Sequence, residues 1–505
     1  MNKTYQELKD KMQRIADVEY SAALLNWDQE IFMPENSASF RSRQLSTLSG
    51  IAHEFFTDQK MGDLLKTLSE TTSLGFKEQR NVAEIKKDYE RKKKYSRDFV
   101  EKMSQTISQS FSSWQKARKE DDFSIFAPKL SELVDLKKQE ADLVGYEGQA
   151  YDALLEDYEP GATVKDLDQL FSDVRSELVG FVEHIFNTPQ NNDAFMYQHF
   201  DKNKQWDFGI YILKAMGYDM QSGRQDLSTH PFTTSFSAQD VRVTTRVDEK
   251  NLSEMLWSCI HEGGHALYEQ GLPSEEYGMP AGEAISLGVH ESQSRIWENN
   301  IGRGLPFWKA FYKSIQAYFP DQLMQVNVED FYKAMNLVKP SLIRTNADEL
   351  TYHFHILVRY EVEKALISGD IKIKELPEFW NSKYKEYLKV DVPSDAQGVL
   401  QDIHWSHGGF GYFPTYSLGS FYAAQYYAQM KKDLPNLEQE LENGNCKIAL
   451  DWLRSNIHQY GRQYSADALC EKVTGEKLNF RYFMQYATKK YSDLYRLQQK
   501  DTMIG

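Results

Sequence analysis

The stretch of residues 255–271, MLWSCIHEGGHALYEQG, places two histidines four positions apart around a glutamate. Its apolar residues recur at helical spacing, which predicts an amphipathic α-helix. Because residues i and i+4 share one helix face, His261 and His265 would project side by side. Two imidazoles so placed can hold one zinc ion, and Glu262 can take a proton from a water molecule at that ion.

Sequence signals also mark the ends and the middle of this helix. Asn251 is a favourable N-cap, and Gly271 follows the last periodic residue, where a C′ glycine is common. Gly263 and Gly264 weaken the helix slightly. Their lack of side chains would let a substrate approach closely.

A catalytic zinc ion needs three protein ligands and one open position. Residues 282–300 predict a second helix, in which His290 and Glu291 both carry ligand atoms. Glu291 follows His265 by 26 residues, which leaves room for a loop of residues 272–281 and for the second helix to pack alongside. Spacing alone favours Glu291 as the third ligand.

Two other carboxylates in this segment compete with Glu291 for that role. Glu283 falls at the predicted start of the helix, where a carboxylate simply serves the helix dipole. Glu298 could pair with Arg295 or face solvent. Spacing does not exclude either of them.

Composition narrows the class of protein. The 505 residues carry a net charge of −15, which argues against a nucleic-acid partner, since such proteins need cations to neutralise phosphates. No run of about eighteen apolar residues predicts a membrane span. The N-terminus lacks the apolar core of a signal peptide. Three cysteines without metal-site spacing, Cys259, Cys446 and Cys470, suggest buried, reduced thiols in a cytoplasmic protein.

The chain is predicted to be mostly α, with no linker or domain boundary between residues 1 and 505. Helical periodicity fills residues 4–25, 79–118, 128–145, 164–187, 305–319, 350–368 and 435–459. Residues 240–247 alternate apolar and polar side chains, which predicts a short edge strand of a small sheet just before the HEGGH helix. Such a strand could pair with an extended peptide, or it could belong to an ordinary surface hairpin.

Blocks spread over nearly the whole chain resemble the carboxypeptidase Taq family of zinc metallocarboxypeptidases. Besides HEGGH, the blocks are LNWDQE (25–30) with MP (33–34), HPFT (230–233), DVRVT (240–244), HESQ (290–293), IRT (343–345) with DELTY (348–352), HWS (404–406) and GYFPTY (411–416). They keep the order of the family, and a set of this kind is far more specific than H-E-x-x-H alone.

The resemblance implies a mostly helical, two-lobed body with a deep central groove. It places the zinc ligands on His261, His265 and Glu291, and the general base on Glu262. It also implies one zinc ion per chain, which cobalt can replace, a cytoplasmic homodimer, and removal of C-terminal residues from peptides with broad preference.

Peptide hydrolysis also needs a hydrogen-bond donor for the oxyanion of the substrate. His404 and Tyr416, from the histidine block and the glycine-rich aromatic loop of residues 408–416, are the candidates, with Tyr412 as the alternate. Tyr412 and Phe413 could instead simply pack.

A carboxypeptidase must also recognise the free α-carboxylate of its substrate, which favours arginine in bidentate geometry. Arg344 and Arg242 are the candidates. Arg344 could instead form a structural salt bridge with the pair Asp348-Glu349, and Arg242 could pair with Asp240.

Two further histidines lie on one predicted helix of residues 350–368. His353 and His355 point to different faces of a predicted helix and are expected to be satisfied histidines of the core or the groove.

A zinc endo-oligopeptidase on a similar helical groove is the alternative enzyme. A non-catalytic interaction protein with a structural zinc is the alternative from another class, although an intact Glu262 argues against it.

Overall fold

The computed structural model describes residues 2–228 and 230–497. The protein is 69% helical and 4% strand, which confirms the predicted mostly α class with a small sheet. The first half contains α1 (Lys3–Ile31), α2 (Ala38–Thr57), α3 (Gln59–Ser69), α4 (Phe76–Lys92), α5 (Arg97–Glu120), α6 (Phe123–Val144), α7 (Ala150–Leu155), α8 (Val164–Phe186), α9 (Lys202–Met216), β1 (Gly223–Leu227), β2 (Thr233–Ser237) and β3 (Asp240–Thr245).

The helix that carries HEGGH opens the second half. In chain order the helices are α10 (Leu252–Glu269), α11 (Leu287–Arg295), α12 (Leu305–Tyr318), α13 (Pro320–Leu323), α14 (Val328–Met335), α15 (Tyr352–Ser368), α16 (Leu376–Leu388), α17 (Pro414–Asp433), α18 (Leu437–Glu442), α19 (Lys447–Asn456), α20 (Ala466–Thr474) and α21 (Arg481–Tyr495).

The chain divides into two compact units. The first unit comprises the residues up to Lys93, then Asn192–Met335 and Tyr422–Leu478. It holds the sheet, α1 to α4, α9 to α14 and α18 to α20. The second unit comprises Lys94–Asn191, Asn336–Phe421 and the residues from Asn479 onward. That the whole chain acts as a single domain, and that it forms a deep groove, stay predictions.

Several helices follow the periodicity of the sequence closely. In α1 the side chain of Asn2 caps the backbone amides of Thr4 and Tyr5, and the helix buries Leu8 and Ile15 as predicted. The long predicted segments 79–118 and 435–459 are each divided in two. In the second of these, Gly444 adopts a φ of 81° and separates α18 from α19. Apolar periodicity does not register such short breaks, because the flanking helices keep the same pattern.

The small sheet lies beside α10 in the strand order β1-β3-β2. β1 pairs with β3 in parallel, and β2 pairs with β3 antiparallel. The strand of residues 240–247 was therefore correctly predicted as a strand, but it is central and ends at Thr245. The edge prediction was wrong because β1, GRQDL, carries few apolar residues and gives no strand signal of its own.

Glycines set how closely the elements pack around α10. A Cβ at Gly263 would come within 2.7 Å of Leu213 on α9, and one at Gly264 within 2.7 Å of the Cα of Ser294 on α11. These glycines therefore serve helix packing, which corrects the prediction that they leave space for substrate. Gly271 follows the C-cap residue Gln270, as predicted, but its φ is not positive. A glycine fits there because a Cβ would lie 2.3 Å from Nδ1 of His458.

Two predictions from composition can be compared with the structure. All three cysteines are unpaired and buried. Among the residues in 2–228 and 230–497, no helix is long and apolar enough to cross a membrane.

Candidate active site

The helices α10 and α11 bring three potential ligand side chains together in the first unit. His261 and His265 lie on one face of α10, and Glu291 comes from α11, where Ser286 caps the helix. One ligand atom from each of the three residues lies within 4.8 Å of the others. The helix predicted over residues 282–300 thus begins only at Leu287, and it continues after Arg295 as a π-helical turn, Ile296–Gly302.

The distances among these atoms suit a small divalent cation. Oε2 of Glu291 lies 3.2 Å from Nε2 of His265 and 3.6 Å from Nε2 of His261. Tetrahedral ligands about 2.1 Å from a zinc ion lie roughly 3.4 Å from one another. Two imidazole nitrogens and one carboxylate oxygen are also the donor set of many catalytic zinc sites. The residues present therefore fit a metal ion.

His261 is oriented from outside by Glu298, which stands in the π-helical turn. Oε2 of Glu298 lies 2.8 Å from Nδ1 of His261, so Nδ1 carries a hydrogen and donates it, and in the neutral imidazole Nε2 then carries the lone pair. Arg295 and Arg303 donate to the two oxygens of Glu298 at 3.1 Å. Glu298 therefore pairs with Arg295, as one of the sequence alternatives had it, but it is buried rather than solvent-facing.

His265 has a longer chain of partners. Its Nδ1 lies 2.6 Å from Nδ1 of His290, and Nε2 of His290 lies 2.8 Å from Oε1 of Glu269. Ser235 on β2 donates to the other oxygen of Glu269 at 2.8 Å. His290 therefore stands behind a candidate ligand, outside the group of three that could hold the ion.

The positive charge of Arg295 balances the negative charge of Glu291. Arg295, one helical turn on, donates its Nε–H to Oε1 at 2.6 Å, and this leaves Oε2 turned to the histidines. Burial alone would raise the pKa of Glu291, but Arg295 and then His261 lower it well below its usual range. The carboxylate is therefore ionised, as a metal ligand must be.

The two histidines differ in their pKa values. Burial, reinforced by His290, lowers the pKa of His265 to about 3. For His261 burial also acts to lower the pKa, but Glu291 and Glu298 outweigh it and raise the value.

Glu262 is held by the edge strand β2. The hydroxyl of Thr233 donates to Oε2 of Glu262 at 2.7 Å and lies 3.0 Å from its backbone carbonyl oxygen. Burial raises the pKa of Glu262, although His261 and Thr233 act to lower it. A carboxylate with a raised pKa is a stronger base near neutral pH, which suits proton transfer. Thr233 was noted only as part of a sequence block, and its role needed the fold.

Glu283, a rival of Glu291 as the third metal ligand, has a different partner. Glu283 precedes α11 rather than starting it, and it pairs with Arg462 at 3.1 Å. The prediction that Glu283 serves the dipole at the start of the helix was therefore wrong, because α11 begins only at Leu287.

The second unit brings His404, Tyr412 and Tyr416 together. Nε2 of His404 lies 3.1 Å from the hydroxyl of Tyr416 in the first turn of α17. The ring of Tyr412 lies 5.2 Å from that of His404 and 5.3 Å from that of Tyr416. Burial, followed by the charge of Arg344, lowers the pKa of His404 to about 3. Phe413 is fully buried against His404, as expected of a packing residue.

Arg344 is paired, but with a partner that the sequence did not suggest. Its Nε and Nη2 lie 3.0 and 2.9 Å from Oδ1 of Asp402, and its Nη1 donates to Tyr352. Arg359 donates its Nε–H to the other oxygen of Asp402 at 2.6 Å. The alternative of a structural salt bridge to Asp348-Glu349 was therefore wrong about the partner, which is Asp402. Asp348 accepts hydrogen bonds from the backbone at the start of α15 instead.

Arg242 on β3 forms the ion pair that the sequence allowed. Its Nε and Nη2 donate to the two oxygens of Asp240 at 2.8 and 2.9 Å. The guanidinium also lies over the rings of Trp27 and Phe236, 4.5 and 5.0 Å from their centroids. This environment fixes the plane of the guanidinium.

His353 and His355 lie in the core, one of the two places predicted for them. Both are fully buried; Nδ1 of His353 lies 3.0 Å from Oγ of Ser417, and Nδ1 of His355 lies 3.0 Å from the hydroxyl of Tyr384. Neither belongs to a group that could hold a metal ion among the residues that the structure describes.

Helix-borne H-E-x-x-H with a carboxylate from a following helix is typical of metal-dependent hydrolases that cleave peptides. The model of the carboxypeptidase Taq (M32) metallopeptidase family matches residues 7–491. The chain belongs to this family and is a peptide-hydrolysing metallocarboxypeptidase. The family implies a divalent metal, for which the group of His261, His265 and Glu291 is the candidate site.

Relatives of this chain match it over nearly its full length. It is 39% identical to "Carboxypeptidase 1" of Bacillus subtilis over 497 residues, which cover 98% of this chain and 99% of that one. It is 39% identical to "Thermostable carboxypeptidase 1" of Thermus thermophilus over 505 residues, covering 97% and 99%. The crystal structure of an M32 carboxypeptidase from Deinococcus radiodurans R1 superposes with a TM-score of 0.96 at 37% identity, covering 98% and 100%.

Proposed function

We propose that the protein is a zinc-dependent carboxypeptidase that removes C-terminal residues from peptides with broad preference. His261, His265 and Glu291 are the proposed ligands of one Zn²⁺ per chain, which Co²⁺ can replace. The observation that carries this proposal is the convergence of one atom from each of these residues within 4.8 Å. Outer partners support it, because Glu298, His290 and Arg295 bond the remaining atoms of the three side chains, while Oε2 of Glu291 also accepts from the hydroxyl of Ser294 at 3.2 Å.

Glu262 is the proposed general base. A zinc ion bound here supplies Lewis acidity, which lowers the pKa of water and polarises the scissile carbonyl. Glu262 accepts the proton of the attacking water and returns it to the amine that leaves. The hydroxyl of Thr233 holds the carboxylate in one orientation, while burial keeps it basic. The alternative, a non-catalytic protein with a structural zinc, requires no such base.

His404 and Tyr416 are the proposed donors to the oxyanion that develops on the substrate, with Tyr412 as the alternate. The contact between His404 and the Tyr416 hydroxyl supports the choice of Tyr416. Tyr416→Phe is expected to lower kcat by roughly 10²-fold with little change in KM. Tyr412→Phe is the matched control, and an equal loss in both variants would reverse the choice of donor.

Arg344 and Arg242 are the proposed partners of the substrate carboxylate. Both already donate two nitrogens to an aspartate, so each would offer the substrate its remaining N–H groups. Arg344→Lys and Arg242→Lys, which keep the charge but lose the fork, are expected to raise KM for free-acid peptides. Dimerisation and a cytoplasmic location stay predictions from the family resemblance.

One peptide prepared in two forms tests the proposal. An N-blocked peptide with a free C-terminus and its C-terminal amide are incubated with the protein, with and without a chelator, and the products are read by mass spectrometry. We expect stepwise loss from the free acid alone, abolished by the chelator and restored by Zn²⁺ or Co²⁺. Internal cleavage of both forms would favour the endo-oligopeptidase. Absence of cleavage by metal-loaded protein would favour the non-catalytic alternative.

A further inference from the structure

His290 and Glu269 form a chain behind His265 that has no counterpart behind His261. Nδ1 of His261 contacts the carboxylate of Glu298 directly. Nδ1 of His265 instead contacts His290, and it is His290 that contacts the carboxylate of Glu269. A histidine one residue before a candidate ligand could compete for the metal ion. In the structure, however, both nitrogens of His290 have partners, and His290 is not one of the three residues whose ligand atoms converge.

Hydrogen-bond logic fixes the protons along this chain. The carboxylate of Glu269 can only accept, so Nε2 of His290 carries a hydrogen and donates it. In a neutral imidazole, Nδ1 of His290 is then an acceptor, and Nδ1 of His265 must donate to it across 2.6 Å. This tautomer leaves Nε2 of His265 with its lone pair facing Glu291.

The surroundings hold the chain in place. The ring planes of His265 and His290 lie within 29° of one another, and the ring of Tyr268 lies 5.4 Å from that of His290. Ser235, on the edge strand β2, binds the second oxygen of Glu269. Side chains from β2, α10 and α11 thus together fix the orientation of the His265 imidazole.

We propose that Glu269 and His290 are positioning residues that set the tautomer of His265 and thereby the affinity of the protein for its metal ion. The proposal rests on the proposed function, because it takes His265 as a ligand. With the amide of a glutamine at position 269, the NH₂ group can donate to His290 and reverse the direction of both hydrogen bonds. Nε2 of His265 would then carry the hydrogen and could no longer bind the ion.

The test measures metal binding rather than activity. Zn²⁺ is competed between the full-length protein and a chromophoric chelator, and binding of Co²⁺ to the metal-free protein is followed by its visible absorption. Glu269→Gln and His290→Gln are each expected to weaken Zn²⁺ binding at least roughly tenfold. Glu298→Gln, which alters the direct partner of His261, should give a loss of similar size and serves as the positive control.

Glu276→Gln is the matched structural control. Glu276 is a carboxylate of the first unit that is more buried than Glu269, with 7% against 17% of its side chain exposed, and it pairs with Lys77 at 2.7 Å. Its replacement should lower stability while leaving the dissociation constant for Zn²⁺ unchanged. Wild-type affinity in both folded variants, Glu269→Gln and His290→Gln, would overturn the inference but leave the metal site standing. A wild-type protein that binds no metal would instead overturn the proposed function.

A milder variant covers the case in which Glu269→Gln does not fold. Ser235→Ala removes only one hydroxyl donor to Glu269, and loss of that hydrogen bond is expected to weaken Zn²⁺ binding roughly two- to threefold. An unchanged dissociation constant for this folded variant would count against the chain, and the expected loss would support it.

Discussion

The candidate metal centre of the first unit and the arginine cluster of the second unit, formed by Arg344, Arg359 and Asp402, are both buried groups of charged side chains. They differ in how their charged side chains are paired. At the metal centre, outer hydrogen bonds occupy the far side of each candidate ligand, and the near atoms converge. In the arginine cluster the opposite charges pair directly with one another. Outer partners therefore decide which ligand atoms of the metal centre turn towards one another.

The largest effect should follow a change at the metal centre that spares its ligands. Glu262→Gln removes the proposed base but keeps the size of the side chain and its contact with Thr233. We expect kcat to fall roughly 10³-fold, equivalent to about 4 kcal/mol, with zinc content unchanged. Steady-state hydrolysis of a free-acid peptide and metal analysis of the purified variant check this. Full activity in the variant would remove Glu262 from the mechanism.

The arginine cluster should respond in stability instead. Asp402→Asn leaves the charges of Arg344 and Arg359 buried without a counter-charge, and we expect the free energy of unfolding to fall by about 3–4 kcal/mol. Denaturant unfolding measures the loss. Asp240→Asn is the control, because it breaks the more exposed pair with Arg242 and should cost less than about 1 kcal/mol. Equal losses in the two variants would show that the cluster is not a buried structural unit.

These two regions also show what could be predicted from the sequence. The helix of His261 and His265 and the approach of Glu291 to them could be predicted, because i,i+4 spacing and a family motif can both be read from the order of residues in the chain. The outer partners could not. Asp402 follows Arg344 by 58 positions, and Glu298 stands in a π-helical turn that no apolar periodicity signals. The partners of β3 were missed because strand alternation reports burial and says nothing of how many neighbours a strand has.

Buried carboxylates in the two units differ in pKa, because only some of them lie beside a cation. Glu291 and Asp402, beside arginines, have pKa values lowered below the usual range. Glu363 on α15 instead accepts from three neutral groups, Tyr151, Trp405 and the backbone N–H of Gly411. Burial raises its pKa to about 7, against an ordinary value of 4.5.

A pH dependence of stability follows from Glu363. The folded protein favours the neutral acid, so this contribution is fully present below about pH 4.5 and is lost as pH rises through 7. It amounts to about 3 kcal/mol. Denaturant unfolding at pH 5 and pH 8 should therefore show wild type losing most of this amount, about 2.5 kcal/mol, relative to Glu363→Gln, in which position 363 does not titrate. Parallel curves for the two proteins would mean that neutral donors stabilise the carboxylate as well as arginines do.

The smallest effect separates the two glycines of HEGGH, which are equivalent in sequence but not in the structure. A Cβ at Gly263 would meet the ends of Leu213 and Met216, which can turn aside, and alanine also favours the helix by roughly 1 kcal/mol. A Cβ at Gly264 would meet the backbone of Ser294 on α11, so that helix must shift and carry Glu291 with it. We expect Gly263→Ala to keep wild-type stability and zinc affinity, and Gly264→Ala to lose about 2 kcal/mol of stability and to bind zinc more weakly. Unfolding curves and zinc competition on both variants measure the difference, and a Gly264→Ala variant with unchanged zinc affinity would show that Glu291 does not depend on the close approach of α10 and α11.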